Sequence, residues 1–371
     1  MLDPRITKLA HGLVDYSVKA QKGDKVLIEA RDIEPGLITE LVRILYKKGA
    51  YPFVNITDGL VSRAIMMGLT PEYCDLLTKY AKVRMEDMDC YIGIRGDSNA
   101  FENSDVDPKK TELYSLRYSH PIHLQIRVAK TRWVVLNYPN FSMAQLAGMS
   151  TPKFEDFYFD VCTLDYAKMD KAFDPLKKLM ERTDKVRLVG EGTDLTFSIK
   201  GMSAVKCSGG HNIPDGEIFT APIKNSVNGI VSFNAPSIEN GVKFENIRLE
   251  FIDGKVIKGT ANHQKQLDSI LDTDEGSRYV GEFAFGVNPY ITEAIGDILF
   301  DEKISGSFHL ALGSSYGDCD NGNKSAVHWD LVCIQTPKYG GGQIYFDDIL
   351  IRENGLFVPK ELQILNPDKI K

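Results

Sequence analysis

Several common signals are missing from this 371-residue chain, and each absence removes a class of function. No apolar run approaches the ~20 residues that cross a bilayer, so no membrane partner is expected. Positive charge is in deficit: 44 Lys and Arg against 51 Asp and Glu leave a net charge of −7. A nucleic-acid binder needs a basic face to neutralise phosphates, so no nucleic acid is expected either. No GxGxxG follows the first expected strand and no GxxxxGK[ST] occurs anywhere, which removes the usual phosphate cradles of dinucleotide and ATP sites. The six cysteines (Cys74, Cys90, Cys162, Cys207, Cys319, Cys333) form no CxxC pair and read as reduced, buried thiols. At the N-terminus, Ile6, Leu9 and Leu13 alternate with Asp3, Arg5, Lys8 and Asp15. That is amphipathic-helix spacing rather than an export signal, and the expected location is cytoplasmic.

What is present suggests two domains, because the chain is long for one core. The first half alternates periods. Lys25–Ala30, Tyr51–Ile56, Cys90–Arg95 and Arg132–Pro139 read as strands. Between the first two, Leu37, Leu41 and Leu45 mark a helix that opens near Pro35 and closes on Lys47-Lys48-Gly49. A second helix is expected over 71–85. Strand–helix alternation implies an α/β domain with an open, mainly parallel sheet. From Thr151 to Thr183 the apolar spacing is helical, with Pro175 expected to kink or split the segment. The period then drops to two, and the boundary is placed there: 1–184 an α/β domain, 185–371 a β-rich α+β domain. In the second half Asp253-Gly254 marks a tight hairpin, and one helix is expected over 264–271.

The chemistry concentrates between Glu282 and Asp330. Ala326-Val-His-Trp-Asp-Leu-Val reads as a strand, so His328 and Asp330 share one face. Buried charges need partners, and a His–Asp ion pair or metal ligation would each supply them. His309 in Ser307-Phe-His-Leu-Ala-Leu and Glu282 in Val280-Gly-Glu-Phe-Ala-Phe repeat the pattern of one ionisable group in an apolar strand. Glu217 follows Pro214-Asp-Gly and opens another apolar run. Three carboxylates and two imidazoles suit a pair of divalent ions: zinc, cobalt or manganese, with magnesium a further candidate. His211 reads as a polar contact rather than a ligand.

The runs HNIPDGEIFTAP, LDTDEGSRYVGEFAFGVNP, ILFDEKISGSFHLALGSSYG and NKSAVHWDLV resemble the M29 metallo-aminopeptidases, over most of the second half and more weakly across the first. The resemblance carries the family's ligands onto Glu217, Glu282, His309, His328 and Asp330, and its catalytic tyrosine onto Tyr316. It implies release of the N-terminal residue from short peptides at a binuclear site with a bridging water. Tyr316 would hold the oxyanion, and Glu282 or Glu217 would relay a proton. It also implies a homodimer. The compact segment between Tyr316 and His328 is expected to shape the entrance. Two rivals stand beside this reading. Another metal hydrolase, an amidase or phosphoesterase, would use Lys324 or Arg278 near the ligands to clamp phosphate. A non-enzymatic binding protein would carry structural metals.

Overall fold

The computed structural model describes residues 3–239 and 241–371. The chain forms two compact units. One runs up to Thr163 and takes in Gly209–Ile213; the other comprises Leu164–Ser208 and Pro214–Lys371.

The first unit is built on parallel strands β1 (Lys25–Arg31), β2 (Tyr51–Thr57), β3 (Cys90–Arg95) and β4 (Arg132–Asn137), in the order β2-β1-β3-β4. Asn212–Ile213 adds a fifth parallel strand beside β4. Helix α1 (Pro35–Lys48) shows why the local sequence folds as it does. Proline occupies its first turn, where no amide bond is lost, and Lys47 and Lys48 lie where the dipole favours cations. Gly49 closes it at φ 73°, and Leu37, Ile38, Leu41, Ile44 and Leu45 form the buried stripe. Helices α2 (Gly59–Met67) and α3 (Pro71–Glu86) follow β2. Among the described residues, no helix is long and apolar enough to cross a membrane.

The second unit begins earlier than the sequence pattern implies. The expected division at 184/185 marks only a change from helix to strand inside it, because helices α4 (Tyr166–Ala172) and α5 (Asp174–Arg182) belong to this unit. Side chains on and just after the strand Val205–Cys207 bind them: Lys206 Nζ lies 2.9 Å from both Asp170 and Asp174, and Ser208 Oγ donates to Asp170 at 3.0 Å. Pro175 sits in the first turn of α5, so the helical run is split there, as expected, rather than bent.

An eight-stranded sheet contains the Asp253-Gly254 hairpin, whose turn residues have φ 48° and 84°. The five-stranded sheet matters more for function. It contains β5 (Glu217–Thr220), β7 (Val280–Gly286), β8 (Ser307–Gly313) and β9 (His328–Ile334), in the order β9-β8-β7-β5, followed by Val205–Cys207. A short strand, β6 (Ser237–Glu239), forms a hairpin with Val242–Phe244 and runs alongside β9. Every residue of β7 and β8 is buried, charged ones included.

Candidate metal centre

Strand register explains how residues far apart in sequence meet. Directly opposed residues in a sheet point to the same side, and so do residues two apart on one strand. Glu282 lies opposite Ala311, and Ala311 opposite Asp330. His309 is two residues from Ala311, and His328 two from Asp330. Glu217 pairs with Gly286, four residues beyond Glu282. All five therefore occupy one face of one sheet, where the small Ala284 and Ala311 lie between the charged rows and leave room.

A bulge between Val280 and Glu282 sets this alignment. Gly281 occupies it, and a Cβ there would come within 2.5 Å of the Gly313 carbonyl oxygen, so the position accepts only glycine.

The side chains converge. His309 Nε2 lies 3.3 Å from Glu282 Oε1, 3.7 Å from Glu217 Oε2 and 3.9 Å from Asp330 Oδ1. His328 Nε2 lies 3.6 Å from both Glu282 Oε2 and Asp330 Oδ1. On its other nitrogen, His328 Nδ1 donates to the Ser314 carbonyl at 2.8 Å. A carbonyl can only accept, so in the neutral ring the proton sits on Nδ1 and the Nε2 lone pair faces the carboxylates.

Two of three groups of potential ligand atoms include a histidine, each with its atoms within 4.8 Å of one another: Glu217, Glu302 and His309, and Glu282, His328 and Asp330. Their hydrogen bonding is incomplete without a cation. Glu217 Oε2, Glu282 Oε2 and His309 Nδ1 are buried with no hydrogen-bond partner. Buried carboxylate oxygens without donors are costly, and divalent cations satisfy them. The residues present thus fit metal ions, with a mixed nitrogen and oxygen donor set.

Titration behaviour follows from this crowding. Burial, with Asp330 and Glu217 beside it, pushes the Glu282 carboxyl up against the opposing effect of His309. For His309, burial works against the charged ring, but Glu282, Glu217 and Asp330 outweigh it and raise the imidazole to about 10. Tyr316 is raised by burial and by the same carboxylates, which keeps its hydroxyl protonated. Its ring lies 4.5 Å from that of His328 and 5.8 Å from that of Phe219, and half its surface is open.

Two residues here are absent from the sequence reading, and a third, Cys207, entered it only as a buried thiol. Glu302 follows the four-residue helix Ile298–Asp301 and joins the Glu217 group. Lys303 is wholly buried, 3.0 Å from Glu217 Oε1, and also pairs with Glu302. It thereby holds one Glu217 oxygen while the other faces the histidine. Cys207 lies with Asp215 and Glu217, but burial and those two carboxylates hold its thiol far above its usual range, so it is neutral and a poor ligand. The only local signal for the first two was the Asp301-Glu302-Lys303 charge run ahead of an apolar strand. His211 lies in the first unit, stacked on Trp133 at 4.5 Å.

Against known proteins, the family described as thermophilic metalloprotease (M29) matches residues 2–355. The chain belongs to the M29 peptidase family. It is 33% identical to aminopeptidase T of Thermus thermophilus, covering 88% of this chain and 91% of that one. To aminopeptidase AmpS of Bacillus subtilis it is 26% identical, covering 88% of each. The solved structure of wild-type AmpT from Thermus thermophilus superposes with a TM-score of 0.82 at 21% identity, covering 97% of this M29 chain and all of that structure. That superposition establishes the shared fold, a mixed α/β architecture with a parallel sheet and antiparallel β-rich sheets.

Proposed function

We propose that this M29 peptidase is a metal-dependent aminopeptidase that removes the N-terminal residue of short peptides. The observation that carries the proposal is the one sheet face on which Glu217, Glu282, His309, His328 and Asp330 converge around unsatisfied carboxylate oxygens. Two divalent ions held there, zinc, cobalt or manganese with magnesium a further candidate, would supply Lewis-acid polarisation of the scissile carbonyl and an acidified water. Glu217 and His309, joined by Glu302, would hold one ion; Glu282, His328 and Asp330 the other.

The chain's own groups do the rest. Tyr316 keeps its hydroxyl proton and stands beside His328, so it donates a hydrogen bond to the developing oxyanion, a role worth ~2.7–4 kcal/mol. Glu282 or Glu217, the most deeply buried acids of the five, passes a proton to the leaving amine. Lys303 fixes the orientation of Glu217. The turn around Gly317–Cys319 that follows Tyr316 shapes the entrance.

A phosphoesterase reading finds less support. Lys324 is paired with Asp320 at 2.8 Å and Arg278 with Asp272 at 2.6 Å, so neither cation is held ready for phosphate.

A homodimer is supported by an apolar surface on the first unit. Tyr51, Phe53, Val54 and Ile56 of β2, with Leu60 and Val61 of α2, are each 42–63% exposed, and α2 buries none of its residues. Together they present several hundred Å² to solvent, the order of the ~800 Å² per partner that a stable two-fold contact covers. A cytoplasmic setting is supported by the burial of five of the six cysteines.

The test is elemental analysis of gently purified protein joined to a peptidase assay after chelation and metal add-back. The proposal expects about two ions per chain and recovery of activity. A filled site that cleaves no free-amine peptide would sink it.

A further inference from the structure

The segment before the β6 hairpin is laced to β9. Asn234 exchanges hydrogen bonds with the backbone of Ile334, donating from Nδ2 at 2.9 Å and accepting at Oδ1 at 2.8 Å. The Ala235 amide donates to the Val332 carbonyl at 3.4 Å. Ser237 Oγ donates to the Asp330 carbonyl at 3.5 Å and accepts from the Trp329 indole at 2.8 Å. Positions 234, 235 and 237 thus descend against 334, 332 and 330, which is antiparallel spacing. The next same-side residue, Glu239, comes alongside His328. It is two residues from Ser237 on one strand, so its side chain leaves the strand on the side that Ser237 turns to β9.

Glu239 differs from the other acids of this region. Its side chain is only partly exposed, and among the described residues no hydrogen bond or ion pair engages its carboxylate. The charged groups that act on it are Asp330 and His328, both from the metal centre. Both lie close enough to act on it through space. It belongs to neither group of potential metal ligands. A half-buried carboxylate without a cation of its own is costly, and the cost is relieved when a cation arrives.

We propose that Glu239 is the anionic subsite that receives the free α-ammonium group of the peptide, a reading that rests on the aminopeptidase assignment. An ammonium needs acceptors and carries a positive charge, and a carboxylate at the edge of the metal centre offers both. The scissile carbonyl is two bonds from that nitrogen, so an amine held beside His328 keeps the carbonyl next to the metal ligands. N-acetylated peptides lack the charge and lose the contact. Glu239 would therefore select for a free N-terminus while leaving the bond-breaking groups untouched.

The test compares wild type with Glu239→Gln and Glu239→Asp. With a free-amine peptide, Glu239→Gln should raise KM ~10-fold or more with a much smaller change in kcat, as expected for loss of a charged hydrogen bond. Glu239→Asp should recover part of the loss. Metal content per chain should stay at the wild-type value. A binding readout uses 3-methylbutan-1-amine against the matched alcohol as competitive inhibitors. Wild type should prefer the amine, and Glu239→Gln should show no preference. An unchanged KM and amine preference in Glu239→Gln would overturn the proposal; so would loss of an ion, which would make Glu239 a ligand. Should Glu239→Gln fail to fold, Glu239→Asp carries the test, and an unchanged amine preference in it overturns the proposal. If wild type cleaves no free-amine peptide yet prefers the amine inhibitor, the assignment of activity fails while the ammonium subsite stands.

Discussion

The parallel sheet of the first unit and the five-stranded sheet of the second place their side chains in opposite ways. In β2, five of seven residues are exposed, and most of those are apolar. In β7 and β8 all fourteen residues are buried, yet each strand carries an ionisable group among aliphatic and aromatic neighbours. An apolar residue in water and a charge out of water are each unfavourable alone. In the proposed dimer another protein surface would correct the first imbalance, and a bound cation would correct the second. The same chain therefore carries two kinds of unsatisfied surface, and each calls for a different kind of partner.

That contrast can be broken most severely at the metal face. His309→Ala removes the imidazole that meets Glu217, Glu282 and Asp330, and kcat/KM should fall by more than the ~10–100-fold typical of an outer-sphere partner. Steady-state kinetics together with elemental analysis checks this, and at least one ion should be lost. Chelation should also lower the melting temperature. An ion present at a thousand times its Kd contributes ~4 kcal/mol to the folded state, and calorimetry with and without chelator reads that difference.

A smaller effect is expected from His123 in the first unit. Burial and the nearby Arg127 lower its imidazole from 6.5 to about 4. The folded form therefore holds the neutral ring while the unfolded chain takes up a proton. Stability is fully present above pH 6.5 and is lost as pH falls towards 4, by at most ~3 kcal/mol. His123→Gln should flatten the denaturation midpoint over that window; an unchanged slope would show that other groups govern it.

The mildest change is expected at the exposed face. Leu60→Glu on α2 should shift the mass seen by light scattering from dimer to monomer, while the stability of the monomer moves by no more than ~0.5 kcal/mol. A dimer that survives this substitution would place the contact elsewhere.

Much of the candidate metal face was legible because strands repeat every two residues. His328 and Asp330 could be put on one side from spacing alone, and the lone charges at His309 and Glu282 stood out against apolar runs. Their meeting could not be read, since it depends on the Ala311 register and the bulge at Gly281. Glu302 and Lys303 escaped because a turn has no period and an Asp-Glu-Lys run looks like solvated surface. Glu239 escaped because a three-residue strand shows no alternation; only its lacing to β9 gives it a direction. The compact units divide the chain elsewhere than expected for a related reason. Amphipathic helices such as α4 and α5 reveal which face is buried, not which sheet buries it. The return of Asn212–Ile213 to the parallel sheet is too short to announce itself.

The most direct test of the account is a crystal structure with anomalous diffraction measured at the absorption edge of the bound metal. It should show two peaks on the β5-β7-β8-β9 face, one among Glu217, Glu302 and His309, the other among Glu282, His328 and Asp330. Peaks confined to other residues, or none in a protein that still cleaves free-amine peptides, would contradict it.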